Sequence, residues 1–280
     1  MSEFDPPPGT VREVVRRALE EDFGTLGDLT SRAIIPEGAR GTARFVARRG
    51  GVIAGTAAAT EVYEQVDPAA TVQWQVADGD TVEPGAELGR VEGSVRSLLG
   101  GERTALNLLC HCSGVATLTR RYVDAVTGTG ARIRDTRKTL PGLRALEKAA
   151  VRAGGGSNHR ECLSDAVLIK DNHLAHSSVI EAVERARAQW PGRLVEVECD
   201  SLDQVAEAKT AEPDLVLLDN MTPAQVREAV AVLGGAIPAE VSGGVDLDTV
   251  RAYAEAGADF VSVGAITHSA PILDLALDLE

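Results

Sequence analysis

The sequence predicts an α/β protein of two domains, the second an irregular parallel barrel with fewer than eight strands. Three observations lead there. A chain of 280 residues is longer than one ordinary domain. Near residue 111 the pattern changes from β-rich segments full of turn signals to short apolar runs alternating with helices. Those runs recur at a spacing of roughly 20–25 residues, and strands alternating with helices in this way imply a parallel sheet whose closed form is a barrel. The barrel should be incomplete, because roughly 150 residues are too few for eight βα units that ordinarily need about 250. The expected domains are residues 1–110 and 111–268.

In chain order, Thr10 and Glu13 form a T-x-x-E capping box after Pro6-Pro7-Pro8. Val11, Val14, Val15, Ala18 and Leu19 then share one face of a helix ending near Asp22. Residues 43–55 (ARFVARRGGVIAG) and 71–93 carry β-branched residues punctuated by Asp78-Gly79, Pro84-Gly85 and Gly89, the signature of hairpins. Residues 77–93 (ADGDTVEPGAELGRVEG) resemble half of a biotinyl or lipoyl hammerhead. No lysine precedes Lys138, so a hairpin tip has nothing to modify, and the segment reads as a sheet framework. Residues 94–126 are helical, with Leu98, Leu99, Leu106, Leu109 and Leu118 among the apolar positions and a break expected at Ser113-Gly114.

The strands of the second domain are expected at residues 131–135, 166–170, 194–198, 214–219, 239–244 and 259–264. Thr222-Pro223-Ala224-Gln225 is the clearest helix start among them, offering a cap, a proline at the first position and a glutamine at the third. Each apolar run finishes in residues a buried strand would not choose. These are Arg134 and Asp135 leading to Arg137-Lys138, then Lys170, Glu198, Asp219, Ser242 and Gly264. In a parallel barrel all of them surround one mouth, where barrel enzymes place their chemistry.

Charge points the same way. Residues 132–173 hold nine Lys/Arg against five Asp/Glu, a local +4 in a chain of net charge −14. A cationic island on that background calls for an anionic ligand. The sequence pI of 4.9 and 3% aromatic content argue against a nucleic-acid binder. No apolar run is long enough to span a bilayer, and the start MSEFDPPPG lacks the regions of a signal peptide, so a cytoplasmic protein is expected. Cys110, Cys112, Cys162 and Cys199 match no common zinc spacing and read as reduced thiols.

Ser242-Gly243-Gly244 and Val263-Gly264-Ala265 follow the last two strands, where barrels frequently bind phosphate and glycines let backbone N–H groups approach it. Glu198 and Asp219 end neighbouring strands and suit ribose hydroxyls, Mg²⁺ or a developing cation, or else salt bridges to Lys138 or Lys170. Arg103, Arg137, His159 and Arg160 are candidates to grip carboxylates, the last two turned inward by Gly154-Gly155-Gly156.

Residues 135–144 (DTRKTLPGLR), 154–160 (GGGSNHR) and 168–173 (LIKDNH) closely resemble the quinolinate phosphoribosyltransferase family. The likeness continues through residues 21–30 (EDFGTLGDLT), 102–107 (ERTALN), 196–198 (EVE), 217–220 (LLDN), 242–244 (SGG) and 263–269 (VGAITHS), nearly end to end. The resemblance implies a type II phosphoribosyltransferase. Its N-terminal α/β sandwich would be joined by a C-terminal tail, residues 269–280, and followed by an open α/β barrel of about six to seven parallel strands. It implies a homodimer, or a hexamer of dimers, with Arg103 donated across the interface. Carried over by position, Arg103, Thr136, Arg137, His159 and Arg160 would surround the two carboxylates of quinolinate. Lys138 and Lys170 would meet pyrophosphate, while Glu198 and Asp219 would take ribose hydroxyls and Mg²⁺. Ser242, Gly243, Gly244, Gly264 and His268 would hold the 5′-phosphate of 5-phosphoribosyl 1-pyrophosphate (PRPP).

The reaction implied is phosphoribosyl transfer from PRPP to quinolinate with decarboxylation, giving nicotinate mononucleotide for NAD synthesis. Three alternatives stand beside it. One is a nicotinate salvage transferase, which the number of cations disfavours because they exceed what one carboxylate needs. Another is a barrel aldolase or isomerase with Lys170 as Schiff-base nucleophile. The third, a non-catalytic, metal-transport-associated relative, should depart from the K-T-L-P-G or G-G-G-x-N-H-R motifs, which are intact here.

Overall fold

A computed structural model describes Phe4, residues 6–175 and residues 177–280; the rest of the M-S-E-F-D start lies outside the described residues. The chain forms two compact units. One comprises Met1–Arg120, Thr139–Gly155 and Ile266–Glu280, the other Arg121–Lys138 and Gly156–Ala265. Among the described residues no helix is long and apolar enough to cross a membrane.

The first unit begins with α1 (Pro8–Phe23), α2 (Leu29–Ile34), β1 (Arg40–Ala47), β2 (Gly51–Val52) and α3 (Thr56–Val66). It continues through β3 (Thr71–Trp74), β4 (Thr81–Val82), β5 (Glu87–Ser94) and most of α4 (Val95–Ala125). Helix α1 buries Val11, Val15 and Leu19, but the expected Thr10–Glu13 box does not form. The helix starts earlier, at Pro8, whose missing N–H belongs to the first turn anyway. Glu13 turns instead to Arg16 and Arg17.

Residues 71–93 do bring β3 against β5 antiparallel, whereas 43–55 makes no hairpin. Strand β5 takes one edge of β1, and the C-terminal strand β12 (Leu275–Leu279) takes the other, so β2 pairs with β4. The sheet order is β12-β1-β5-β3. Ala43, Phe45 and Ala47 alternate into its core, where Phe45 packs edge-on to Tyr63 at 6.3 Å and lies 4.7 Å from Trp74, ring centre to ring centre. Tyr63 comes from α3, a helix with no cap of its own at Gly55. The carboxylate of Asp78 supplies one from a distance, accepting the N–H groups of Gly55 and Thr56 and the Thr56 hydroxyl.

Helix α4 passes through Ser113-Gly114 without the expected break. A Cβ at Gly114 would stand 2.2 Å from the Pro271 carbonyl oxygen, so this glycine permits close approach of the C-terminal segment and does not end the helix. The Ser113 hydroxyl donates to the Ala54 carbonyl and accepts the Ala54 N–H. Helix α4 runs unbroken through residue 110, and the first compact unit extends along it to Arg120.

After β6 (Arg132–Arg134) and α5 (Arg144–Ala153), which belongs to the first unit, the second unit runs β7 (Val167–Ile169), α6 (Asp171–Leu174), α7 (Val179–Gln189) and β8 (Val195–Cys199). Then come α8 (Leu202–Ala211), β9 (Leu215–Asp219), α9 (Pro223–Leu233), β10 (Ala239–Ser242), α10 (Val250–Glu255) and β11 (Phe260–Ser262); of α11 (Ala265–His268) only Ala265 belongs to this unit. All six expected strands form. They make one parallel sheet in the order β6-β11-β10-β9-β8-β7. Helix α9 has the expected start, with Thr222 and Gln225 capping each other and Pro223 in the first turn.

The free edge of β6 is partly covered. Ser157 donates its N–H to Ile133 O at 2.8 Å and accepts from Asp135 N–H at 3.2 Å, a one-residue parallel bridge. Strands β6 and β7 lie at opposite edges of the sheet, yet residues following both line a single cavity, so the sheet curls into an open barrel.

Candidate active site

That cavity, of about 590 Å³, lies wholly within the second unit and has a volume suited to a metabolite. Every strand contributes its carboxyl end: Thr136, Arg137 and Lys138 after β6, Lys170 after β7, Glu198 from β8, Asp219 from β9, Ser242 to Gly244 from β10 and Ser262 from β11. His159 and Arg160 complete the lining. The convergence follows from parallel topology, in which every strand points the same way, and from side-chain period two, which places the last inward residue of each strand at the same mouth.

Two cationic arms meet here. The Thr136 hydroxyl accepts the Lys138 N–H at 2.9 Å, tightening the first. In the second, the Arg160 guanidinium donates to the Ala166 carbonyl at 2.9 Å, and burial followed by repulsion from Arg137 lowers its pKa. Like charges held this close are suited to a polyanion. Opposite them, the Lys170 ammonium is ion-paired with Glu198. That pairing and the cations around it make a surrounding for polyanions, not the apolar pocket of a Schiff-base lysine, which counts against the aldolase alternative. Asp219 accepts a hydrogen bond from the Asn220 side chain at 2.7 Å.

Asn220 sits in the left-handed region at φ 54°, and its N–H donates to Ser242 O. Gly243, at φ 102°, lies so close that a Cβ there would be 2.2 Å from Asn220 Oδ1. Only glycine fits this turn, which leaves the backbone open toward the cavity.

Beneath the mouth lies a buried ionic layer. His159 Nε2 is 3.0 Å from Glu196 Oε2 and 3.5 Å from Glu240 Oε1, and Glu240 also accepts from Arg134 at 2.6 Å and from the Ser262 hydroxyl. Arg134 stacks 3.8 Å over the Phe260 ring. Burial opposes charge on His159, but the Glu196 hydrogen bond and both carboxylates outweigh it and raise its pKa. The Arg160 N–H donates to Nδ1 at 2.7 Å, so the single ring proton of the neutral form is on Nε2, facing Glu196. Burial, then repulsion from Glu196, raises the pKa of Glu240.

Other expected residues are not part of this lining. Val263, Gly264 and Ala265 are not among its lining residues; Val263 is buried, with its N–H bonded to Arg134 O. Arg103 is exposed on α4, and His268 is exposed with Nδ1 2.6 Å from the Ser269 hydroxyl; both belong to the first unit. The sequence pattern assigns no role to Glu196 or Glu240, although each stands two residues before a strand-end site residue and so on the same inward face.

Residues 28–113 match the N-terminal domain model of quinolinate phosphoribosyl transferase, and residues 115–278 match the C-terminal domain model. The chain is 47% identical to a carboxylating nicotinate-nucleotide pyrophosphorylase of Mycobacterium leprae, over 99% of this chain and 98% of that one. It superposes on NadC from Streptococcus pyogenes with a TM-score of 0.94 at 40% identity, covering 99% and 98% of the two chains. The nicotinate-nucleotide pyrophosphorylase of Francisella tularensis gives 0.93 at 38%, with the same coverage. Two domain models in tandem, full-length identity of this order and an intact cavity lining place the chain in the quinolinate phosphoribosyltransferase family.

Proposed function

We infer that this protein transfers the phosphoribosyl group of PRPP to the ring nitrogen of quinolinate and releases the 2-carboxylate as CO₂, forming nicotinate mononucleotide and pyrophosphate. The observation that carries this reading is the meeting, in one cavity, of the Arg137 and Arg160 arms with the Glu198–Asp219 acidic pair, in a chain of this family.

The ring nitrogen attacks C1 of the ribose as the bond from C1 to pyrophosphate breaks. Lys138 and Lys170 stabilise the departing charge, and Glu198 and Asp219 hold the ribose hydroxyls beside the developing cation. Backbone N–H groups of Ser242 to Gly244 take the 5′-phosphate. Arg137, Arg160 and His159 orient the two carboxylates, so catalysis is mostly positioning with no covalent enzyme intermediate. The ribosylated nitrogen is cationic. It stabilises the electron pair left at C2 when CO₂ departs, and a solvent proton fills that valence.

Glu198 and Asp219, at the ends of neighbouring strands, form a hard-oxygen donor set that would hold Mg²⁺. The chemistry it would supply there is Lewis-acid stabilisation of the leaving pyrophosphate.

Arg103 is assigned to the site of a second copy, within a homodimer or a hexamer of dimers. Arg103→Ala and Lys170→Ala should each be inactive alone and regain activity in mixed dimers; no recovery would mean each chain completes its own site. Four free cysteines suit a reducing, cytoplasmic setting.

The test of the whole reading is pyrophosphate release from PRPP and Mg²⁺ with quinolinate and nicotinate in parallel. Release with quinolinate alone is expected; release with nicotinate would make this a salvage transferase.

A further inference from the structure

Asp135, which opens the D-T-R-K motif at the mouth of the barrel, is tied to both cationic arms, and the carry-over of substrate contacts above leaves it without one. Asp135 is fully buried between the last residue of β6 and Thr136, the first residue of the Thr136-Arg137-Lys138 arm. Its carboxylate reaches the other arm. Oδ1 accepts the His159 N–H at 2.8 Å, and Oδ2 accepts the Asn158 side-chain amide at 2.5 Å. Its backbone is held as well, donating N–H to Ser157 O and accepting the Ser262 hydroxyl at 3.4 Å.

These bonds have a geometric consequence. The Ser157 bridge fixes where the second arm starts, and the Arg160 guanidinium is bonded to Ala166 O. Past that bridge, the bonds from Asp135 hold the two residues immediately ahead of Arg160. A charged acceptor bonded to a backbone N–H and an amide in a buried site is stronger and more directional than a neutral one. The spacing of the Arg137 and Arg160 arms therefore depends on this carboxylate.

We propose that Asp135 is a positioning residue that sets the separation of the two cationic arms, and with it the fit of the cavity to two adjacent carboxylates. This rests on the quinolinate reading of the cavity. The residue touches no substrate; it acts through Asn158 and His159.

A swap experiment tests it in the full-length protein. Asp135→Asn replaces one acceptor by a donor facing either Asn158 or the His159 N–H, and should raise KM for quinolinate about tenfold or more, the scale of one lost charged hydrogen bond. KM for PRPP should hardly change. Asn158→Asp sets two carboxylates against each other and should act alike. The double variant, Asp135→Asn with Asn158→Asp, restores one donor to one acceptor and should recover most of the quinolinate affinity; a merely structural role would move KM for PRPP alongside KM for quinolinate in the single variants. Should Asp135→Asn fail to fold, Asn158→Ala removes the same amide bond while leaving the His159 bond, and must still raise KM for quinolinate selectively. An unmoved quinolinate KM, an equal rise for PRPP, or additive damage in the double variant would overturn the assignment. No turnover of quinolinate by the unsubstituted protein would overturn the substrate reading beneath it.

Discussion

In the antiparallel sheet of the first unit, β1 turns Ala43, Phe45 and Ala47 inward, whereas the parallel sheet of the second turns Glu196, Glu240 and Ser262 into its interior. Both interiors are closed to water, but they are filled for different ends. Packed aromatic and aliphatic side chains there stabilise by area removed from water. A carboxylate in the same surroundings has to be compensated by a partner such as Arg134 or His159, and well-packed apolar residues would often be at least as stable. The polar interior therefore marks where stability has been given up to hold charges in place, and the cavity with both arms lies directly above it.

The sharpest way to break this contrast is to damage each region and read both stability and turnover. Phe45→Ala should destabilise the protein by about 3–5 kcal/mol, measured by denaturant midpoint, while molecules still folded keep near-normal kcat. Lys138→Ala should do the reverse. Lys138 is exposed, so the midpoint should hold while kcat falls about a hundredfold or more, the scale for loss of one preorganised charge stabiliser. Near-normal turnover would remove Lys138 from the mechanism.

Gly243→Ala lies between these extremes in kind and below them in size. It forces a Cβ against Asn220 and a side chain into a left-handed turn, a strain of about 1–3 kcal/mol, and should raise KM for PRPP more than KM for quinolinate. Equal effects would place the Ser242–Gly244 turn away from the phosphate.

The smallest effect expected is in the pH dependence of stability. Because the folded pKa of His159 is raised, its contribution is fully present below the ordinary imidazole value of 6.5 and is lost as pH rises through the higher folded value. Melting temperature should fall across that window more steeply in the unsubstituted protein than in His159→Gln. Parallel curves would mean that the ring does not change protonation there.

The ends of the strands are legible from sequence because a charged or polar residue closing an apolar run stands where burial would reject it: Lys170, Glu198, Asp219 and Ser242 all line the cavity. The layer one step below is hidden, since a glutamate inside an apolar run looks like an outward position until the inward face is known. Counting back two residues from Glu198 and Ser242 finds Glu196 and Glu240. Non-local devices leave no such trace. Asp78 looks like half of a turn, yet it also caps α3 from 22 residues away. Gly114 looks like a helix breaker, and its reason is a carbonyl from the far end of the chain. The Val263 N–H is bonded to Arg134 O, a contact across the sheet that the V-G-A pattern does not reveal.

The central claim is that one site performs both the transfer and the decarboxylation. Its most direct test is a turnover experiment with PRPP, Mg²⁺ and quinolinate carrying ¹³C in the 2-carboxylate, following pyrophosphate and labelled CO₂ together. The account predicts equimolar release of the two and an unlabelled mononucleotide. Pyrophosphate released with the label retained in the product would contradict it.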